Sequence, residues 1–135
     1  MKTPTTEEIT SVALRLLSKE AVFCYLLGSA DTPRFHSESD IDIAVYWKGG
    51  ELSFERRVEL KTTLEEQLGY PVDLISLNTI DVIYGVQVLE TGRILFCHDP
   101  GLLLEWKASQ LSKYPDFKRS RAIIENNILI RKKYV

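Results

Sequence analysis

Gly28 and Ser29 are followed, after ten residues, by Asp40, Ile41 and Asp42. A strand rises about 3.3 Å per residue and alternates its faces, so Asp40 and Asp42 share one face about 6.6 Å apart along the backbone. Two such carboxylates can converge on a pair of magnesium ions about 3.5–4 Å apart, the spacing used in two-metal phosphoryl chemistry. Magnesium takes hard oxygen ligands and shares its shell with substrate phosphates. Glycine allows a phosphate to approach the backbone closely, and free N–H groups of a turn after a strand can hold it. The Ser29 hydroxyl adds a donor. Asp73 interrupts the apolar run Val72 to Leu77, and a charge in such a strand needs a partner. It is the candidate third metal ligand and acceptor of a proton from an attacking hydroxyl; the plainer alternative is a strand-end carboxylate that reaches solvent.

The surrounding pattern supplies elements to hold these groups. Thr5 and Glu8 have capping-box spacing, and Ile9, Val12, Ala13, Leu16 and Leu17 recur at helical intervals, predicting a helix near 6–18. Ala21 to Leu27 is continuously apolar, as in a strand buried on both faces. Residues 28–39 are polar and contain Pro33, which predicts a loop or short helical turn. From Asp40 to Trp47, Ile41, Ile43, Val45 and Trp47 alternate with Asp40, Asp42, Ala44 and Tyr46. Trp47 is therefore expected in the core. Phe54, Val58, Leu60, Leu64 and Leu68 form an apolar helical stripe that stops at Gly69. Val72 to Leu77 reads as a strand, Asn78 or Thr79 as the cap of a helix running to about Glu90, and Arg93 to Cys97 as a fourth strand. Asp99 and Pro100 start a final helical pattern, interrupted near Tyr114, Pro115 and Asp116. The order α-β-β-α-β-α-β-α predicts an α/β (α+β) fold, a small mixed β-sheet of about four strands with helices packed on it. Residues 1–135 are expected to form a single domain.

Composition narrows the function classes. Hydrophobic residues make up 44% of the chain and charged residues 27%, which argues against disorder. No apolar run is long enough to cross a bilayer, and the N-terminus lacks a signal-like apolar core, so a cytoplasmic location is expected. Cys24 and Cys97 lie in apolar runs without ligands at metal-site spacing and read as reduced, buried thiols. His36 and His98 are isolated, which argues against zinc. The net charge of −2 conceals a balance of +6 from Lys107 to Lys133 against −8 elsewhere. That cationic segment reads either as a surface for an acidic partner or RNA, or as a solvated helix face.

The run Leu27-Gly28-Ser29, with Ser39-Asp40-Ile41-Asp42-Ile43-Ala44-Val45 after it, resembles the signature of the minimal nucleotidyltransferases (MNT) of the DNA polymerase β-like superfamily. The chain is most similar to MntA-type antitoxins paired with HEPN ribonuclease toxins. The likeness covers roughly residues 20–98 by motif and element order, and Leu89-Glu90-Thr91-Gly92-Arg93-Ile94-Leu95-Phe96 also looks like a family segment. The resemblance implies a polymerase β-like fold and transfer of AMP from ATP, with two Mg2+ ions, to a hydroxyl of the partner toxin, which silences it. It implies that Gly28 and Ser29 hold the leaving phosphates and that Asp40, Asp42 and Asp73 hold metal. One departure stands out. Many members carry Arg directly after the Ser, where this chain reads Ala30-Asp31-Thr32-Pro33, leaving Arg34 or a nearby Lys as candidate for the positive charge at the nucleotide.

Three other readings stay open at this level. An antitoxin could mask its toxin without chemistry. A small-molecule nucleotidyltransferase of the aminoglycoside type would need no protein partner, although this short chain offers little to hold such an acceptor. The basic C-terminal segment could bind RNA, but no RNA-binding module accompanies it, so no direct nucleic-acid binding is expected. Tyr84, Val88 and Trp106 read equally as an apolar patch for the toxin and as interior packing.

Overall fold

The computed structural model of the protein describes residues 3–27 and 40–113. Gly28, Ser29 and Arg34, the loop around them and the basic segment from Tyr114 onward lie outside the described residues.

Eight elements follow the expected order: α1 (Thr6–Leu17), β1 (Ala21–Leu26), β2 (Ile41–Trp47), α2 (Phe54–Leu68), β3 (Val72–Ser76), α3 (Val82–Thr91), β4 (Arg93–Cys97) and α4 (Pro100–Ser112). Their ends are written locally. Thr5 caps α1, its Oγ1 accepting from the Glu8 N–H at 3.1 Å. Gly69 ends α2 in the left-handed region at φ 64°, where a side chain would be strained. Asp99 caps α4, accepting from the Leu102 N–H at 3.0 Å, with Pro100 in the first turn.

The expected Asn78 or Thr79 cap for α3 is corrected: Asp81 caps it, accepting from the Ile83 N–H at 2.9 Å. Asn78 is used elsewhere. Its Oδ1 accepts from the Trp47 N–H at 2.8 Å, and its Nδ2 donates to the Trp47 carbonyl at 3.1 Å. A side-chain amide thus takes the place of one more ladder residue at the end of β2. Thr79 donates instead to Glu51.

The sheet order is β3-β2-β1-β4. β1 pairs antiparallel with β2 and with β4, while β2 and β3 are parallel. The mixed pairing follows from connection length, since α2 provides the crossover that two parallel strands need. β1 is buried at every position, as a central strand covered on both faces must be. Its register shifts between Ala21 and Phe23 against β2, and between Cys24 and Tyr25 against β4. These bulges place consecutive residues, Val22 with Phe23 and Leu95 with Phe96, in the same core cluster.

One sheet face packs with α1 and α2. There Ile9, Ala13 and Leu17 meet Leu60, Leu64, Ile41, Ile43, Val45 and Trp47. The other carries Phe23, Tyr25 and Ala44 under Val88 of α3 and Trp106 of α4. The alternation expected of β2 holds, with Trp47 fully buried on the Ile41 face. Phe23 stacks on Tyr46 at 5.0 Å between ring centroids, and Trp106 lies 5.7 Å from Phe23 and 6.2 Å from Tyr25. Val88 and Trp106, 1% and 6% exposed, are therefore interior packing and not a docking patch. The stripe on α2 is also narrower than its sequence suggests: Leu60 and Leu64 are buried, whereas Phe54 is 80% and Val58 43% exposed. Both cysteines are free; Cys24 is buried and Cys97 only half-buried. Burial pushes the Cys24 thiol well above its ordinary range.

Gly92, between α3 and β4, is a tight point. A Cβ there would lie 2.5 Å from the Val88 carbonyl oxygen and 2.9 Å from Cδ1 of Tyr25. Gly92→Ala should destabilise the chain by about 1–3 kcal/mol, as overpacking of a closed contact does. Urea unfolding would show this as a lower midpoint at unchanged slope; an unchanged midpoint would mean that the contact relaxes freely.

Candidate functional site

The acidic residues come together because of the register of β2 and β3. The Ile41 N–H donates to the Pro71 carbonyl at 2.9 Å, which sets the pairing that follows. Ile41 then lies beside Val72, Asp42 beside Asp73, and Ile43 beside Leu74. Ile41 and Ile43 are fully buried against α1 and α2, so Asp42 and Asp73 must face the other way. Strands are about 4.7–4.9 Å apart, so the two carboxylates rise side by side from one sheet face. Asp40 precedes β2 on the same side and is exposed, as is Asp73, while Asp42 is half-buried.

β1 ends beside this cluster. The Leu27 N–H donates to the Asp42 carbonyl at 2.9 Å. Leu27 is the last described residue before Gly28, so the strand that leads into the Gly-Ser pair is fixed to the backbone of the half-buried acid.

The electrostatics follow from this crowding. Burial pushes the Asp42 carboxyl above its ordinary range, and the neighbouring charges of Asp73 and Asp40 push it further. Among the described residues Arg56 pairs with Glu20 and Glu59, Arg57 with Glu51, and Lys61 with Glu65, so none of these three cations is an ion-pair partner of the acids. Like charges gathered on a half-buried surface favour either a proton or a cation. The donors are all carboxylate oxygens, which suits magnesium and not a softer metal. Among the described residues no three His, Cys, Asp or Glu are gathered into a metal-holding group. Magnesium is commonly bound by one or two carboxylates plus the phosphates of a substrate. The adjacent pair Asp42 and Asp73 fits this description, with Asp40 adding charge nearby.

Tyr84 enters the site unexpectedly. It lies in the first turn of α3, two elements away from Asp42 in sequence. Its hydroxyl is pushed above its ordinary range by burial and then by the charges of Asp42 and Asp73. Tyr84 stands one turn before Val88, which is buried on the acid-bearing face of the sheet. The sequence alone left Tyr84 open between a surface patch and interior packing.

An acid whose folded pKa is raised binds its proton more tightly folded than unfolded. Its contribution therefore favours folding at low pH and is lost as the pH rises through the folded pKa. Asp42→Asn should accordingly raise the metal-free melting temperature by a few degrees at pH 7, with the gap closing toward acid pH. Added Mg2+ should stabilise the unsubstituted chain more than the variant. Thermal melts with and without Mg2+ check both signs, and a lower melting temperature for the variant would contradict this account.

The family described as polymerase beta, nucleotidyltransferase matches the chain over residues 7–101. Among solved structures, the chain is similar to a toxin–antitoxin with AMP-PNP, at 26% identity and a TM-score of 0.70, covering 89% of this chain and 98% of that one. It is similar to an MntA–HpeT toxin–antitoxin carrying two aspartate-to-glutamate substitutions, at 25% identity and a TM-score of 0.70, over 93% and 99% of the two chains. It also shares its fold with a chain of the complex between a tri-AMPylated HEPN toxin and an MNT antitoxin from Shewanella oneidensis, at 24% identity and a TM-score of 0.67, over 93% and 99%. None of the curated proteins compared with the chain matches it. Among the described residues no helix is long and apolar enough to cross a membrane.

Proposed function

The chain belongs to the polymerase beta nucleotidyltransferase family, and on that ground we propose that it is an antitoxin that transfers AMP from ATP to a hydroxyl side chain of a HEPN-type ribonuclease toxin. The observation that carries this reading is the side-by-side placement of Asp42 and Asp73, with Asp40 close by, at the start of β2 and β3 where β1 ends. Two structural relatives supply the nucleotide and the acceptor: one was solved with AMP-PNP, the other holds an AMPylated toxin.

The proposed roles follow residue type and order in the sequence. Gly28 and Ser29 hold the leaving phosphates, with Arg34 as candidate for an added positive charge. Asp40, Asp42 and Asp73 would be the residues that hold Mg2+. These ions would offset the charge of the triphosphate and lower the pKa of the acceptor hydroxyl. Asp73, exposed on the outer strand, receives the hydroxyl proton. The acceptor oxygen attacks the α-phosphorus in line. The new bond joins that oxygen to phosphorus, the bond from the α-phosphorus to the bridging oxygen breaks, and pyrophosphate leaves with the electron pair. Most of the acceleration comes from positioning and charge neutralisation, as in other metal-assisted phosphoryl transfers.

Labelled ATP, Mg2+ and the HEPN-type partner test the proposal. The partner should gain AMP, and Asp42→Asn and Asp73→Asn should each slow labelling by about 100-fold or more. Asp40→Ala combined with Asp42→Ala should abolish neutralisation of the partner's ribonuclease activity. Neutralisation that persists without label would instead establish masking.

A further inference from the structure

We propose that Tyr84 is a modification site: when no partner protein is present, the chain transfers AMP from ATP to its own Tyr84 hydroxyl. The inference rests on the AMP-transfer reading and adds an acceptor within the same molecule.

The sheet face that carries the acids also carries Tyr84 above it. Two residues on from Asp42 is Ala44, and two residues on from Asp73 is Ile75, so each shares a face with its acid. Ala44 lies in the core cluster beneath α3 and α4, and Ile75 packs against it. Tyr84 stands between Ile80 and Val88 in the chain, and both of these join that same cluster. Burial and the charges of Asp42 and Asp73 raise the proton affinity of the Tyr84 hydroxyl, so it meets the acids as a neutral group.

The turn that presents Tyr84 is held on two sides. Asp81 accepts from the N–H groups of Ile83 and Tyr84, at 2.9 and 3.5 Å. Gly85 packs on Gln110 of α4, where a Cβ would lie 2.3 Å from the Gln110 Oε1, and Gln110 is itself buried. A helix fixed in this way keeps the phenol, 38% exposed, over one part of the sheet. Positioning of this kind is what a transfer between two bound groups requires.

The other hydroxyls of β2, β3, α3 and their connection are engaged or distant. Ser76 and Thr79 donate to Glu51 at 3.0 and 2.9 Å, and Thr91 donates to the Gln87 carbonyl at 2.8 Å. Tyr46 shares the Asp42 face but lies about 13 Å further along β2, stacked on Phe23. Among the described residues no hydrogen bond holds the Tyr84 hydroxyl.

The step balances with ATP as the one co-reactant. The Tyr84 oxygen bonds to the α-phosphorus, and the bond from that phosphorus to the α,β-bridging oxygen breaks. Pyrophosphate leaves with the electron pair, and the phenolic proton passes to Asp73. The AMP then covers Asp42 and Asp73, so the reaction stops at one AMP per chain.

Incubation of the whole chain with ATP and Mg2+ alone, read by intact and peptide masses, tests this. One AMP should appear on the peptide that contains Tyr84, and Tyr84→Phe should abolish it. Asp42→Asn chains, which keep Tyr84, should stay unlabelled even when mixed with unsubstituted chain. A readout without turnover is nitration by tetranitromethane. α,β-Methylene-ATP with Mg2+ should protect Tyr84 in the unsubstituted chain and fail to protect it in Asp42→Asn. Label on another residue, or on the Asp42→Asn chain in the mixture, overturns the inference. Protection without label also overturns it and makes Tyr84 a nucleotide contact. A HEPN-type partner that gains AMP while the chain alone gains none overturns it and leaves the transfer reading intact. If neither gains AMP, both fail.

Discussion

The site depends on one alignment, the parallel pairing that sets Asp42 opposite Asp73. A shift of one residue would turn every side chain of β3 to the other face of the sheet. Val72 and Leu74 would leave the core shared with α1 and α2, and Asp73 would enter it. Burial of these apolar residues therefore fixes the register, and the register places the charges. The core pays for an electrostatic arrangement that is itself unfavourable, since Asp42 is pushed toward its protonated form by its surroundings. Polar bonds at either end hold the same alignment: Ile41 to Pro71 at the start, and Leu77 N–H to the Val45 carbonyl at the finish.

The charged end is arranged asymmetrically. β1 and β2 meet on one side of Asp42, tied by the bond from Leu27, whereas Asp73 lies on β3, the edge strand among the described residues. Tyr84 looks onto the acids from α3, above the same face. Family membership supplies the class of reaction; the register of β2 and β3 supplies the pair of adjacent acids.

Much of the architecture was legible in the sequence because the local signals agree with one another. The alternation from Asp40 to Trp47 separates two sheet faces that the structure fills as expected. Thr5, Gly69 and Asp99 mark helix ends through chemistry that acts within a few residues. The failures lie where a distant partner decides. Asn78 had the composition of a cap, but the open end of β2, thirty-one positions earlier, offered it two backbone bonds. Phe54 and Val58 fitted the helical stripe of α2, but among the described residues β3 is the last strand on that side and both side chains stay exposed. The closeness of Tyr84 to two carboxylates depends on how α3 crosses the sheet, which no short-range pattern records. Asp40, Asp42 and Asp73 were candidates by type and spacing; that Asp42 and Asp73 sit side by side, with Asp42 alone half-buried, follows only from the strand register and the packed layers.

The two tryptophans fall on opposite sides of the sheet. Trp47 is sealed under α1 and α2, and Trp106 rests on Phe23 and Tyr25 under the other layer. Each indole is thus a separate optical gauge of one half of the interior. Emission from a chain retaining only Trp106 reports how firmly α4 is seated on the acid-bearing side, and a chain retaining only Trp47 is blind to it. Loosening of one layer ahead of the other would be visible as a difference in colour between the two.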